Sequence, residues 1–128
     1  MVYLDSSVVL AYLLAEDRCP PDSLWNEDLV SSRLLEYEVW NRIHVYGSAA
    51  KYGDDARNLF RGIQLVEMTP TVLARALRAF PISIRTLDSL HLATVQHLRE
   101  PGQEIALASF DMRLVNAARA LDIPRYEF

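Results

Sequence analysis

Asp5, Glu38, Asp88 and Asp111 lie far apart in the chain, yet each falls where an apolar strand or a helix begins or ends. Four carboxylates gathered within a few ångströms would repel one another and raise one another's pKa, so a fold that assembles them calls for a cation. Hard oxygen ligands with no accompanying Cys or His pair favour Mg2+ or Mn2+ over zinc. Ions of that kind polarise a phosphodiester and ease the ionisation of an attacking water. Metal-assisted hydrolysis is the chemistry these residue types would support.

The elements that must position them follow from hydropathy and turn signals. Residues 2–5 read as a strand ending at Asp5, and 7–15 as a helix. Ser6 and Ser7 either cap that helix or hold the Asp5 carboxylate in one orientation. A short helix at 22–27 and a strand at 29–32 follow. Residues 33–46 form a helix whose apolar positions recur at three- and four-residue steps, with Gly47 or Gly53 to end it. Next come a helix at 54–61 and a strand at 63–68. Thr69 caps a helix with Pro70 in its first turn, running to about Phe80, where Pro81 breaks it. A loop over 82–86, a helix over 87–98, a Pro101-Gly102 turn, a strand at 105–109 and an amphipathic helix at 112–121 complete the order, with 124–128 a short terminal strand or tail. Strands alternating with helices imply an α/β fold with a parallel sheet, in which crossovers bring successive strand ends to one edge. Asp5, the Ser32 turn and Asp111 therefore converge, Glu38 overhangs that edge, and Asp88 sits near the start of its helix. Taken alone, Asp88 also reads as a carboxylate placed to suit the helix dipole.

The chain's 128 residues fit one domain, 1–128, and 51% hydrophobic composition suffices for a core. Thirteen basic against 17 acidic residues give a net charge of −4, so any polyanion must be met locally. The single cysteine, Cys19, has no partner for a disulfide or a zinc motif, which fits a reducing cytoplasm. With no apolar stretch approaching ~18 residues, a membrane location is not expected.

The blocks Asp5-Ser6-Ser7, Ser32 to Leu34 with Glu38, the run from Arg85 through Thr86-Leu87-Asp88-Ser89-Leu90-His91-Leu92-Ala93, and Ser109-Phe110-Asp111 occur in an order that resembles PIN-domain ribonucleases. The nearest resemblance is to the single-domain toxins of VapBC toxin–antitoxin modules, and it covers essentially the whole chain. It implies a three-layer α/β/α fold with a central parallel sheet of four to five strands, and a metal-dependent endoribonuclease leaving a 5′-phosphate and a 3′-hydroxyl. Asp5, Glu38, Asp88 and Asp111 would be its acidic quartet around Mg2+ or Mn2+, with Ser6 and Ser109 as supporting hydroxyls in place of the commoner threonines. It also implies a homodimer and a small VapB-like antitoxin, with Leu13, Leu14, Trp40 and Tyr46 as candidate docking residues.

RNA needs cations near such a pocket, and Arg33, Arg42, Arg85 and Arg113 flank the acids. Each also suits a solvated helix face, paired to residues such as Glu36. Glu36 itself points to a different face from Glu38. His91 reads as a buried, hydrogen-bonded histidine rather than a ligand, and Trp25, Trp40 and Tyr46 as core or interface residues, with base stacking the alternative. A haloacid-dehalogenase-type site would need a second Asp where Ser7 stands, and dinucleotide binding would need a Gly-rich turn. The remaining alternative is a PIN-fold module that binds RNA or protein without cutting.

Overall fold

The computed structural model describes residues 1–100 and 102–128. Its sheet contains β1 (Val2–Leu4), β2 (Leu29–Ser32), β3 (Gln64–Val66) and β4 (Ala106–Ala108), all parallel, in the order β3-β2-β1-β4. The register sets Tyr3 against Val30 and Leu107, and Ser32 against Val66. Three-residue strands persist here because β1 is paired on both sides and buried on both faces, the usual state of a parallel sheet.

The period-two alternation of β1 separates two apolar layers. Val2 and Leu4 pack with Val8 and Val9 of α1 (Ser6–Leu13), Leu35, Val39 and Ile43 of α2 (Leu34–Val45), and Ala56 of α3 (Ala49–Arg61). Tyr3, one residue out of phase, packs with Leu92 and Val95 of α5 (Thr86–Arg99) and Leu114 and Ala118 of α6 (Met112–Ala120). The result is the expected three-layer α/β/α arrangement. A further short helix, α4 (Pro70–Ala76), lies against α5 and starts as the sequence predicts, with the Thr69 hydroxyl accepting from the Val72 amide at 3.3 Å.

Several boundaries differ from expectation for identifiable reasons. The chain tail forms only a single parallel bridge, between Leu107 and Arg125, so the sheet has four strands. Gly47, at φ 63°, ends α2, whereas Gly53 does not end a helix. It lies buried inside α3, where a Cβ would stand 3.2 Å from the Trp40 ring, so its lack of a side chain lets α2 and α3 approach. Helix α3 therefore begins at Ala49, five residues before the expected start. Helix α4 stops at Ala76 rather than near Phe80. From its last turn the Arg75 guanidinium lies 4.0 Å from the Phe80 ring centroid and donates to the carbonyls of Arg78 and Ala79, and Pro81 disfavours helical backbone at Phe80. The Pro101 half of the expected turn lies outside the described residues, and Gly102 adopts φ 86°.

Candidate active site

In the order β3-β2-β1-β4 the chain leaves β1 towards β2 on one side and returns as β4 on the other, so the strand order reverses between β1 and β4. Parallel α/β sheets bind ligands beyond the carboxyl ends of the strands at such a reversal. Asp5 directly follows β1 and Ser109 directly follows β4, with Asp111 in the turn between β4 and α6. Asp5 is only 5% exposed, and its Oδ2 accepts from the hydroxyls of Ser7 at 2.7 Å and Ser109 at 2.8 Å. Each serine in turn accepts a backbone amide, Phe110 to Ser7 at 3.0 Å and Asp111 to Ser109 at 2.9 Å. Two hydroxyls thus tie the end of β1 to the turn after β4. Of the two serines that could orient Asp5, Ser7 does so, while Ser6, the supporting hydroxyl that the resemblance implies, stands at the first position of α1, and both line the cleft.

The other acids arrive on helices. Asp111 caps α6, its Oδ1 accepting from the Arg113 amide at 2.9 Å. Asp88 lies in the first turn of α5, and its carboxyl pKa is raised, by burial first and then by the charges of Asp111 and Asp5, against the lowering influence of Arg85 and His91. Asp88 stands at the helix start that the dipole reading requires, while the charges of Asp111 and Asp5 are felt there as well. Glu38, in the second turn of α2, meets Nε2 of His91 through Oε1. His91 is 1% exposed, buried and hydrogen-bonded as the sequence indicated, and its Nδ1 lies 2.7 Å from the Tyr3 hydroxyl. Burial opposes protonation of His91, but the hydrogen bond and charge of Glu38, with the fields of Asp5 and Asp88, outweigh it and raise its pKa. Burial also lifts the Tyr3 phenol far above its usual range.

All four carboxylates line one open cleft of about 1120 Å³. They are not packed together, however: among the described residues no three Asp, Glu, His or Cys side chains are gathered tightly enough to hold an ion directly. Three of the acids have donors of their own, two serines for Asp5, His91 for Glu38 and a helix amide for Asp111, and Asp88 is paired with Arg85. An all-oxygen set at this looser spacing still fits a hard cation such as Mg2+, which keeps several of its waters and takes only one or two carboxylates directly.

Cations line the same cleft. Arg85 places Nε 4.0 Å from Asp88 Oδ2, and Arg42 lies 5.5 Å from the Tyr46 ring centroid. Arg18, which the sequence did not single out, also lines it, 5.7 Å from the Phe110 ring centroid. Arg33 is engaged elsewhere, by Glu36 and by Glu67 at 2.7 Å, and Arg113 is exposed on α6; neither is among the residues lining the cleft. Trp25 packs on Tyr12 at 4.7 Å and Trp40 packs over Gly53, as core-facing aromatics do. Of the candidate docking residues, Leu13 is buried and Tyr46 exposed.

Fold and site together define a class: a three-layer α/β/α domain with an acidic cleft at the switch point of a parallel sheet. The PIN domain model matches residues 2–120, and the chain belongs to the PIN domain family. Two relatives from Mycobacterium tuberculosis align along nearly its whole length. A protein named ribonuclease VapC47 is 26% identical over 126 residues, 93% of this chain and 90% of the relative. One named ribonuclease VapC46 is 31% identical over 126 residues, 94% of this chain and 92% of the relative. No solved structure shows a significant match.

Proposed function

We propose that this protein is an Mg2+- or Mn2+-dependent endoribonuclease, the toxin of a type II toxin–antitoxin pair. The observation that carries this reading is the convergence of Asp5, Glu38, Asp88 and Asp111, from four separate elements, on one cleft that arginines also line. The likeness to two proteins named as VapC ribonucleases supports it. A bound divalent ion supplies Lewis acidity that polarises the scissile phosphodiester and eases ionisation of the attacking water. The chain's own part is positioning. Asp5 is immobilised by Ser7 and Ser109, Asp88 and Asp111 present carboxylates from helix starts, and Arg18, Arg42 and Arg85 offset the negative charge that a phosphate would otherwise meet.

The same reading carries a VapB-like antitoxin and a second copy of the chain as partners, and a cytoplasmic setting. Tyr37, Val45 and Tyr46 on and beside α2, and Leu77 beyond α4, are large exposed apolar side chains of the kind such contacts bury. No helix among the described residues is long and apolar enough to cross a membrane.

The test is cleavage of a mixed RNA pool, with structured tRNA and rRNA included, first in EDTA and then with Mg2+ or Mn2+ restored. Cutting should appear only with the metal. RNA left intact under every condition would instead favour a PIN-fold module that binds without turnover.

The arginines give a second expectation. In a cleavage-dead background, Arg42→Ala or Arg85→Ala should each flatten the dependence of log affinity on log salt by about 0.7 for single-stranded RNA, the loss of one phosphate contact. Arg33→Ala and Arg113→Ala should leave that slope unchanged. Fluorescence anisotropy across a salt series reads both, and equal slopes in all four variants would remove the cleft arginines from the RNA path.

A further inference from the structure

Helices α2 and α5 cover opposite faces of the sheet, yet one side-chain hydrogen bond joins them, from His91 to Glu38. It is the last link of a directed chain. The Ser32 amide donates to the Tyr3 hydroxyl oxygen at 3.1 Å, which leaves the phenol proton for His91 Nδ1 at 2.7 Å. An imidazole that accepts at Nδ1 carries its proton on Nε2, and the Glu38 carboxylate facing Nε2 accepts it. An imidazolium would donate from Nε2 in the same way, so the contact does not depend on protonation of the ring.

The arrangement needs an explanation that packing alone does not provide. His91 is 1% exposed and stands between the Tyr3 hydroxyl and the Glu38 carboxylate, where an aliphatic residue would fill space without a polar atom to satisfy. Glu38, by contrast, is a long side chain at the edge of the cleft, and holding a glutamate still costs rotamer entropy. A rigid donor on Oε1 meets that cost in advance and engages only one of the two carboxylate oxygens of a residue that lines the cleft. Both nitrogens of His91 are engaged by protein groups, so the ring serves as a donor and not as a ligand.

We infer that His91 is a positioning residue, holding Glu38 by Oε1 so that Oε2 is presented to a divalent cation, with Tyr3 fixing the orientation of the imidazole. This rests on the metal-dependent reading above. Outer partners of this type commonly alter metal affinity 10- to 100-fold.

Calorimetric titration of Mn2+ into the full-length protein tests it without reference to turnover, with thermal melts reporting the fold of each variant. His91→Leu should weaken Mn2+ binding by about 10- to 100-fold. His91→Gln, which keeps an N–H near the Nε2 position, should recover a large part of that loss. In a Glu38→Gln background, His91→Leu should produce no further loss, because the two residues act through one contact. A folded His91→Leu protein with parental affinity, or losses that add in the double variant, would overturn the inference while leaving the metal site standing. Should His91→Leu fail to fold, Tyr3→Phe decides: about a tenfold loss supports the inference, and parental affinity overturns it. A parental protein that binds no Mn2+ overturns the metal reading itself, and this inference with it.

Discussion

Asp88→Asn is expected to abolish RNA cleavage while leaving the fold intact, with a loss exceeding about a hundredfold, the upper end of what outer partners of a metal site cost. That corresponds to more than about 2.7 kcal/mol of barrier. The amide has nearly the shape of the carboxylate but lacks the charge that a cation requires. Stability should move the other way. Asp88 has a raised carboxyl pKa, from burial first and then the charges of Asp111 and Asp5. A carboxyl that binds its proton more tightly when folded than when unfolded stabilises the fold at low pH, and that contribution is lost as pH rises through the folded-state pKa. At neutral pH the ionised group therefore opposes folding, so the asparagine variant in EDTA should unfold at the same or higher denaturant concentration than the parent. The gain should shrink as acid protonates the parental Asp88. Chemical denaturation at neutral and acidic pH, beside a cleavage assay with Mn2+, measures both signs. Parental cleavage in Asp88→Asn would dismantle the shared-site reading.

Much of this site was legible because its residues are tied to local signals. Asp5 and Asp111 follow short apolar runs, so strand order alone brought these two to one edge, whereas Asp88 joined them through the Arg85 to Ala93 block that carries the resemblance. The Thr69-Pro70 start is likewise local chemistry, a hydroxyl for an orphan amide and a ring for a position that needs no donor. The rest depends on contacts between distant segments. Gly53 looks like a helix breaker by propensity, and only its approach to Trp40 shows why a glycine continues α3. Arg18 follows α1 without a motif of its own, and it reaches the cleft because the loop after α1 passes the turn that carries Phe110. Arg33 and Arg113 flank acids in sequence as convincingly as Arg42 and Arg85 do. Side-chain pairing with Glu67, 34 residues away, is what removes Arg33 from the cleft, and no local pattern records it. The partners of Asp5 and Glu38 have the same long-range origin, since the donors that hold them come from α1, the turn after β4 and α5.

Ser7→Ala and Ser109→Ala should each cost about 1.5–3 kcal/mol of folding stability, whereas Ser6→Ala should fall within about 0.5 kcal/mol of the parent. Both hydroxyls donate to the same oxygen of a buried carboxylate, and charge-assisted bonds of this kind are worth more than neutral ones. Removing either also strands a backbone amide, Phe110 in one case and Asp111 in the other. Because they share Asp5 Oδ2, the double variant should lose a different amount from the sum of the singles. Function should follow geometry. With one donor gone, Asp5 is no longer held in a single orientation, and with Ser109 gone the Asp111 turn loses its anchor as well, so Ser109→Ala should impair cleavage more than Ser7→Ala. The contrast within the adjacent pair is the sharp part, since a serine next to an acid reads the same in sequence at either position. Urea unfolding in EDTA and cleavage with Mn2+, run on the three single variants, separate them. A Ser6→Ala protein as destabilised and as slow as Ser7→Ala would mean that the Asp5 carboxylate is oriented from the other side of the turn.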